Sequence, residues 1–282
     1  MTQYSTASPI TQPEHQARKR FGQNFLHDPH VIKRIVDAIA ARPGEHLLEI
    51  GPGQGALTIP LINSGARLDV VELDRDLASW LQNHFADCER FRLHVGDVLK
   101  FDLNTLTSTP RSLRVIGNLP YNISTPCLFH LLSSVHLIRD MTFMLQKEVV
   151  QRLAAGPDDE NYGRLSVMVQ YHCEVDHLFD VPSGAFKPAP KVTSAIVRLR
   201  PHACADGQQA RHDLDDPALF QALVRDAFSQ RRKTLKNCLK GLISGLDPEQ
   251  LPVDLSLRAE NLGVTDFVRL CNAISSARAR SL

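Results

Sequence analysis

Short apolar runs alternate along this chain with segments whose apolar residues recur at helical spacing. The short runs predict buried strands, and the periodic segments predict helices that pack against them. The predicted strands are His46–Ile50, Arg67–Asp74, Phe91–Val95, Leu113–Ile116, Met141–Leu145, Glu174–Val181 and Val192–Leu199. This alternation predicts an α/β domain built on a seven-stranded sheet.

The predicted helices lie between the strands and at both ends of the chain. Asp28 and Pro29 have the character of an N-cap and a first helical residue, and Pro43-Gly44 would end that helix. Beyond residue 216, an apolar stripe predicts a helix from Pro217 that continues through Arg231–Lys236. The remaining helices are predicted at Ala56–Leu61, Arg75–Phe85, Ser124–Leu132, Glu148–Ala155 and Leu165–Val169.

Composition divides the chain into four parts. Residues 1–17 are polar and are predicted to be a disordered tail, and residues 18–200 contain the α/β pattern. A segment rich in Ala, Asp, Gly and Gln at 201–216 is predicted to be a linker. It leads to a smaller helical domain at 217–282.

The overall composition is that of an ordinary globular protein. The net charge of +1 means that any nucleic-acid binding must come from local patches. The six cysteines form no CxxC pair, and no apolar run is long enough for a signal peptide or a membrane span. The sequence therefore predicts a cytoplasmic protein with no membrane association.

A glycine-rich turn directly follows the first predicted strand. It reads Gly51-Pro52-Gly53-Gln54-Gly55 and leads into an apolar helix, which is the first half of a Rossmann-like nucleotide-binding unit. The GxGxG spacing lacks the extra residue and third glycine that accommodate a dinucleotide pyrophosphate. A cofactor without phosphate fits better, and S-adenosylmethionine is the common one.

Polar residues follow the next three strands. Glu72 lies about twenty residues after the glycines, where an acid can accept both ribose hydroxyls of a cofactor. Asp97 could accept from the amino group of the cofactor's adenine, while Val98 packs on the ring. Asn118 follows the fourth strand. Because parallel strands end at one edge of a sheet, these side chains are predicted to share one site.

The turn Asn118-Leu119-Pro120-Tyr121 suits methylation of an adenine N6, a weak nucleophile whose lone pair is delocalised into the ring. The Asn118 side-chain oxygen and the Leu119 carbonyl could each accept one N6 hydrogen. Pro120 fixes the turn, and Tyr121 offers a face for stacking. For these four residues alone, a β-turn with a buried aromatic residue remains the alternative.

Together these segments resemble the ordered motif set of the ribosomal RNA adenine N6,N6-dimethyltransferases. The motifs are Gln23–Leu26, Glu49–Gly55, Glu72–Asp74, Gly96–Val98, Asn118–Ser124, Tyr162–Ser166, Phe186–Ser194 and Gln230–Leu235. The resemblance is closest to the bacterial small-subunit enzymes. It implies an S-adenosylmethionine-dependent methyltransferase that dimethylates two adjacent adenosines near the 3′ end of 16S rRNA in the 30S particle, and we expect a monomer.

The resemblance also implies roles for individual positions. Phe186 would be the second aromatic wall, so that it and Tyr121 sandwich an adenosine taken out of its stack. Asn118 through Tyr121 would form the target-adenine pocket. Cofactor contacts are implied at Asn24, Leu26, Gly51, Gly53, Glu72, Leu73, Asp97, Val98 and Asn118.

Three groups of basic residues could contact RNA phosphates. They are Arg18, Lys19 and Arg20; Lys187 and Lys191; and Arg231, Arg232 and Lys233. An ordinary solvated surface explains such runs as well, although the two lysines beside Phe186 are favoured by lying next to the implied pocket. None of the twelve histidines has a partner at metal-ligand spacing, so we expect no metal.

Three other functions share some of these features. A large-subunit (23S) RNA dimethylase has the same catalytic motifs, but the stretch Phe186–Val192 and the long C-terminal domain favour the small-subunit enzyme. A non-enzymatic ribosome-assembly or transcription factor on this fold would be expected to have lost a pocket residue. An NAD-dependent enzyme is disfavoured by the GxGxG spacing and by the turn at Asn118.

Overall fold

A computed structural model describes residues 18, 23–202 and 214–280 of the chain. The predicted tail and most of the predicted linker lie outside this range. The strands are β1 (Phe25–Leu26), β2 (His46–Ile50), β3 (Arg67–Glu72), β4 (Phe91–Val95), β5 (Leu113–Asn118), β6 (Ile138–Gln146), β7 (Cys173–Val181), β8 (Phe186–Lys187) and β9 (Ser194–Pro201). The α-helices are α1 (Pro29–Ile39), α2 (Thr58–Asn63), α3 (Arg75–His84), α4 (Ser124–Leu132), α5 (Lys147–Ala154), α6 (Arg164–His172), α7 (Pro217–Ala227), α8 (Leu235–Cys238) and α9 (Val264–Ala279).

Seven of these strands form one sheet in the order β4-β3-β2-β5-β6-β9-β7, and β1 pairs separately with β8. The five strands from β4 to β6 in this order are parallel, and β9 is antiparallel to β6. The predicted Rossmann-like seven-stranded fold is confirmed. The strand order reverses between β2 and β5, and open α/β sheets bind ligands at the carboxyl ends of the strands beside such a reversal.

The central strands are buried along nearly their whole length. Leu47, Leu48, Val70 and Val115 have no solvent exposure. Such continuous apolar runs are typical of parallel strands that are covered on both faces, whereas a half-exposed sheet would show alternation. The buried strands fix the positions of the loops at their carboxyl ends, where the predicted site residues lie.

The start of α1 agrees with the sequence prediction, but its end does not. Asp28 Oδ1 accepts from the backbone N–H groups of His30 and Val31 at 2.8 and 3.1 Å, as an N-cap does. The helix ends at Ile39, before the predicted stop at Pro43-Gly44. Ala40 adopts a left-handed conformation with φ 49°, and its N–H donates to the Val36 carbonyl, which closes the last turn.

The basic segment Arg231–Lys236 does not continue α7, so the prediction of one long helix was wrong. α7 ends at Ala227, and the Ser229 hydroxyl donates to the Asp226 carbonyl over 2.6 Å. A serine that bonds the backbone in this way competes with the helical hydrogen-bond pattern. The arginines therefore lie in a loop before the short α8.

The chain divides into two compact units. The first comprises the described residues of Met1–Val150 and Asp176–Pro201, and the second those of Gln151–Val175 and His202–Leu282. Within the second unit, the Tyr162 hydroxyl donates to the Leu262 carbonyl over 2.9 Å. Such bonds join 151–175 to the C-terminal residues, whereas the sequence predicts one continuous domain over 18–200.

Gly117→Ala is expected to destabilise the first unit by about 1–3 kcal/mol, the usual cost of overpacking a core. A Cβ at position 117 would lie 2.8 Å from the Ile50 carbonyl oxygen and 3.1 Å from Leu119 Cδ2. The Ile50 backbone belongs to β2 and cannot move without disturbing the sheet. Urea unfolding followed by circular dichroism measures the effect. Gly184→Ala is the control, because an added Cβ there meets no described atom within 4 Å. Equal urea midpoints for the two variants would contradict the predicted overpacking at position 117.

Candidate active site

One pocket of the first unit lies at the carboxyl ends of β2, β3, β4 and β5. It is lined by Gln23–Leu26, Glu49–Gln54, Ala56, Leu57, Val71–Leu73, Gly96–Val98 and Asn118–Ile123. Every residue predicted to contact the cofactor lies in this lining, and so does the whole predicted adenine turn from Asn118 to Tyr121. The structure therefore brings together four strand ends that are far apart in the sequence.

The turn after β2 depends on glycines in the left-handed region. Gly51 has φ 64° and Gly53 has φ 56°, values that a residue with a Cβ rarely adopts. The Gly51 amide donates to the Val71 carbonyl over 2.9 Å, and the Gly53 amide donates to Glu72 over 3.2 Å. Both bonds attach the turn to the end of β3.

Glu72 is a buried carboxylate that joins two loops of the pocket. Its Oε2 accepts from the Gly53 amide, and its Oε1 accepts from the Asp74 amide over 2.8 Å. Burial raises the pKa of Glu72, although these two backbone hydrogen bonds act in the opposite direction. The bonds fix the carboxylate at the pocket wall, where it is suited to accept the hydroxyls of a ribose.

The remaining lining fits the nucleoside part of S-adenosylmethionine. Asp97 accepts from the Leu99 amide through Oδ1 over 3.0 Å, which orients its carboxylate. Val98 is buried beside it, and Leu73 is 50% exposed at the pocket wall. This cofactor needs an acid for its ribose, and apolar side chains and an acid for its adenine. It also needs a turn that the backbone can bring close, which the glycines at 51 and 53 allow because they lack a Cβ.

The segment Gln23–Leu26 packs against both the glycine turn and the adenine turn. A Cβ at Gly53 would lie 3.2 Å from the ring of Phe25, so the glycine allows the ring to approach closely. The Asn24 carbonyl accepts a hydrogen bond from Asn118 Nδ2 over 3.1 Å. This bond leaves Oδ1 as the acceptor of the Asn118 amide, which is the role predicted for it.

Arg18 is paired with acids of its own chain, and its role as an RNA contact stays a prediction. Its guanidinium donates to Asp74 over 3.1 Å and also to Asp76, and its backbone N–H donates to Gln23 Oε1 over 2.8 Å. Gln23 Nε2 in turn donates to Asp74 Oδ2 over 3.1 Å. Asp74 therefore anchors the N-terminal segment that lines the pocket. Lys19 and Arg20 lie outside the described residues.

Arg18→Ala is expected to raise the dissociation rate of S-adenosylmethionine severalfold, because the segment carrying Asn24 and Phe25 loses an anchor. The effect should shrink at high salt, where the partly exposed ion pair is already screened. Stopped-flow measurement at low and high salt tests this. Lys33→Ala is the control, since it removes a more exposed ion pair with Asp37, formed over 2.6 Å within α1. An equal effect of both changes would count against an anchoring role.

Tyr121 lines the pocket, but Phe186 does not. Phe186 is 3% exposed and belongs to the hydrophobic core, where β8 pairs it with Leu26 of β1. The sequence motif could not reveal that the Phe186 side chain is buried in the core. Phe186 therefore does not line the pocket in this structure, and its role as the second aromatic wall stays a prediction.

Comparison with known proteins supports the same family as the motifs. The profile of the family described as ribosomal RNA adenine dimethylase matches residues 14–276 of the 282. The chain belongs to the ribosomal RNA adenine dimethylase family. Proteins named Ribosomal RNA small subunit methyltransferase A from Pseudomonas putida and Pseudomonas aeruginosa are 61% and 59% identical to it. The alignments cover 94% and 93% of this chain and 97% and 96% of those proteins.

Solved structures agree with membership of the ribosomal RNA adenine dimethylase family. A dimethyladenosine transferase from Plasmodium falciparum has a TM-score of 0.71 at 26% identity, over 89% of this chain and 98% of that one. The 23S rRNA methyltransferase ErmE has a TM-score of 0.67 at 24% identity over 89% and 100%, a likeness that concerns the fold alone. The predicted family, the enzyme class of adenine dimethyltransferase and the cofactor S-adenosylmethionine are confirmed.

Glu49 is a pocket residue of this dimethylase that the sequence analysis did not select. It is 2% exposed, and Thr58 donates its hydroxyl to Glu49 Oε2 over 2.7 Å. Burial, with a further contribution from the charge of Glu72, raises the pKa of Glu49 to about 7. An acid inside the apolar run Leu47–Ile50, directly before the glycines, was the signal that could have identified it.

The basic residues predicted to contact RNA differ in their surroundings. Lys187 and Lys191 are exposed in the first unit, and Arg232 and Lys233 are exposed in the second. Arg231 is also exposed, and it donates to the Glu160 carbonyl over 2.7 Å and lies 3.5 Å from Glu260. All three groups of basic residues remain predicted RNA contacts.

Two absences concern only the described part of this dimethylase. Among residues 18, 23–202 and 214–280, no three His, Cys, Asp or Glu side chains are grouped so that they could hold a metal ion. No helix in the same residues combines the length and apolar character needed to cross a membrane.

Proposed function

We propose that this protein transfers methyl groups from S-adenosylmethionine to N6 of two adjacent adenosines in the 3′-terminal hairpin of 16S rRNA, dimethylating each. The substrate would be the 30S particle or its precursor, late in small-subunit biogenesis. Relatives named Ribosomal RNA small subunit methyltransferase A, with 53–61% identity over nearly the whole chain, support this choice of RNA. The main structural support for this reaction is the Asn118 amide, whose oxygen is oriented as an acceptor in the same pocket as Glu72 and Asp97.

The cofactor supplies a methyl group bound to a positively charged sulfur, and the chain supplies the groups that position it. Glu72 would accept the ribose hydroxyls, and Asp97 with Val98 would hold the adenine. The glycine turn at Gly51 and Gly53 lets the backbone approach the bound molecule. Because the positively charged sulfur already activates the methyl group, catalysis depends mainly on in-line placement of the attacking amine.

The target adenine would be held by the turn after β5. Asn118 Oδ1 and the Leu119 carbonyl would each accept one N6 hydrogen, which orients the lone pair of N6 toward the methyl group. The base would stack on Tyr121 after leaving its RNA stack. The N6 proton needs no strong base in the protein, because the amine becomes acidic once it carries the incoming methyl.

The same two acceptors are compatible with a second methyl transfer. A monomethylated amine retains one N6 hydrogen, which still bonds to one acceptor and keeps the amine oriented. The pocket therefore needs room for one added methyl group rather than a different set of polar groups. This property would allow the dimethylation that the family name describes.

RNA would be held outside the pocket by exposed cations. Lys187 and Lys191 lie on the unit that contains the pocket, and Arg232 and Lys233 lie on the other. We further propose that the protein acts as a monomer in the cytoplasm. With a formal net charge of only +1, RNA affinity would depend on these local groups.

Methyl transfer to three substrates tests the proposal. Tritiated S-adenosylmethionine is supplied with unmethylated 30S particles, 50S particles or naked 16S rRNA, and primer extension then maps the modified bases. We expect incorporation into the 30S particle at two adjacent adenosines near the 3′ end. Preferential labelling of 50S particles would instead support the 23S activity that the ErmE structure is named for.

A further inference from the structure

A hydroxyl that does not line the pocket holds the side chain of Tyr121. The hydroxyls of Tyr121 and Ser194 share a hydrogen bond of 2.9 Å, and Ser194 has no solvent exposure. Ser194 is the first residue of β9 and pairs with Gln146 at the end of β6. The adjacent Thr193 carbonyl accepts from the Lys147 amide over 3.0 Å. The backbone that carries the Ser194 hydroxyl is therefore held by two paired strands.

Tyr121 is also held at its backbone. The hydroxyl of Ser124, 2% exposed at the start of α4, donates to the Tyr121 carbonyl over 3.0 Å. The ring itself remains part of the pocket wall. The hydrogen bond from Ser124 fixes the Tyr121 backbone, and the hydrogen bond with Ser194 fixes the hydroxyl at the far end of the ring. Together they set the direction of the long axis of the ring.

We propose that Ser194 is a positioning residue for methyl transfer. It holds the Tyr121 ring in the direction that lets a stacked adenine present N6 to Asn118. This inference rests on the proposed function, because it takes Tyr121 as the stacking surface for the target base. Stacking by itself tolerates sideways movement of the base, whereas an in-line transfer loses rate when the reacting atoms are slightly misplaced.

The position of Ser194 in the sequence fits this role. It is the last residue of the motif Phe186–Ser194, and nothing in that motif assigns a role to its hydroxyl. Val192 and Thr193 beside it are exposed, whereas Ser194 is fully buried. Its hydroxyl is hydrogen-bonded to that of Tyr121 in the pocket wall, 73 residues away in the sequence.

A double-mutant cycle on Ser194→Ala and Tyr121→Phe tests the inference, with methyl transfer to unmethylated 30S particles as the readout. Each single change removes the same hydrogen bond, so each should lower kcat by about three- to tenfold, as expected for one lost bond. The double variant should be no slower than the slower single variant. Affinity for S-adenosylmethionine, measured by calorimetry, should stay unchanged in all three.

Ser166→Ala is the control for a merely structural effect. Ser166 is also fully buried, and its hydroxyl donates to the Arg152 carbonyl in the second unit. This variant should keep the kcat of the unchanged protein even if its stability falls. If Ser194→Ala does not fold, Tyr121→Phe decides alone, because it keeps the ring and removes only the hydroxyl.

Two outcomes would overturn the positioning role. One is an unchanged kcat in either Ser194→Ala or Tyr121→Phe, and the other is losses that multiply in the double variant. Failure of the unchanged protein to methylate 30S particles would instead overturn the proposed function, and the inference with it. If the unchanged protein methylates 30S particles and Ser194→Ala does so at the same rate, only the positioning role of Ser194 is overturned, and the proposed function stands.

Discussion

Asn118→Ala should lower the rate of methyl transfer to 30S particles on the order of a hundredfold or more, the usual effect of losing an oriented polar group at a reacting centre. In the proposed mechanism Asn118 Oδ1 is the side-chain acceptor for N6, and its orientation depends on the hydrogen bond from Nδ2 to the Asn24 carbonyl. S-adenosylmethionine affinity should fall much less, because Glu72 and Asp97 are unchanged. Single-turnover kinetics separate the chemical step from cofactor binding.

Asn118→Asp makes the same test more specific. The substitution keeps an acceptor oxygen and the shape of the side chain, but it places a second oxygen against the Asn24 carbonyl instead of a donor. We therefore expect the aspartate variant to be slow as well, although its acceptor is retained. Asn83→Ala, at an exposed position of α3, is the control and should be unaffected. Normal turnover in Asn118→Ala would remove Asn118 from the adenine site.

The strand-end residues could be predicted from sequence because their positions follow from the topology. Once His46–Ile50 and its neighbours are recognised as parallel strands, Glu72, Asp97 and Asn118 must lie at one edge of the sheet. The glycine turn similarly requires a left-handed backbone, which Gly51 and Gly53 adopt. These inferences need only local patterns and the geometry of a parallel sheet.

The features that the sequence did not reveal depend on contacts between distant segments. Phe186 is buried in a core cluster formed by residues from many parts of the chain, and no local pattern at residue 186 indicates this. Arg18 looks like part of a basic run until Asp74 and Asp76, more than fifty residues later, are found beside it. The hydrogen bond between Tyr121 and Ser194 spans a similar distance in the sequence.

Glu72→Gln should weaken S-adenosylmethionine binding by roughly ten- to a hundredfold. The carboxylate accepts from the Gly53 and Asp74 amides, and a glutamine of the same shape has only one acceptor oxygen. Its amide nitrogen would therefore face a backbone donor, and a hydrogen bond to a charged acceptor contributes about 1.5–3 kcal/mol. Either the glycine turn would lose one attachment to β3 or the Asp74 amide would lose its acceptor, and the ribose would keep only one of two acceptor oxygens.

Calorimetric titration with S-adenosylmethionine measures this loss, and Glu89→Gln at an exposed position is the matched control. At saturating cofactor, the Glu72→Gln variant should methylate 30S particles at nearly the normal rate, because Asn118 and Tyr121 are unchanged. The two substitutions should thus have opposite profiles, since Asn118→Ala impairs turnover and Glu72→Gln impairs cofactor affinity. An unchanged affinity in Glu72→Gln would mean that the ribose is held elsewhere and that the attachment of Gly53 to Glu72 is dispensable.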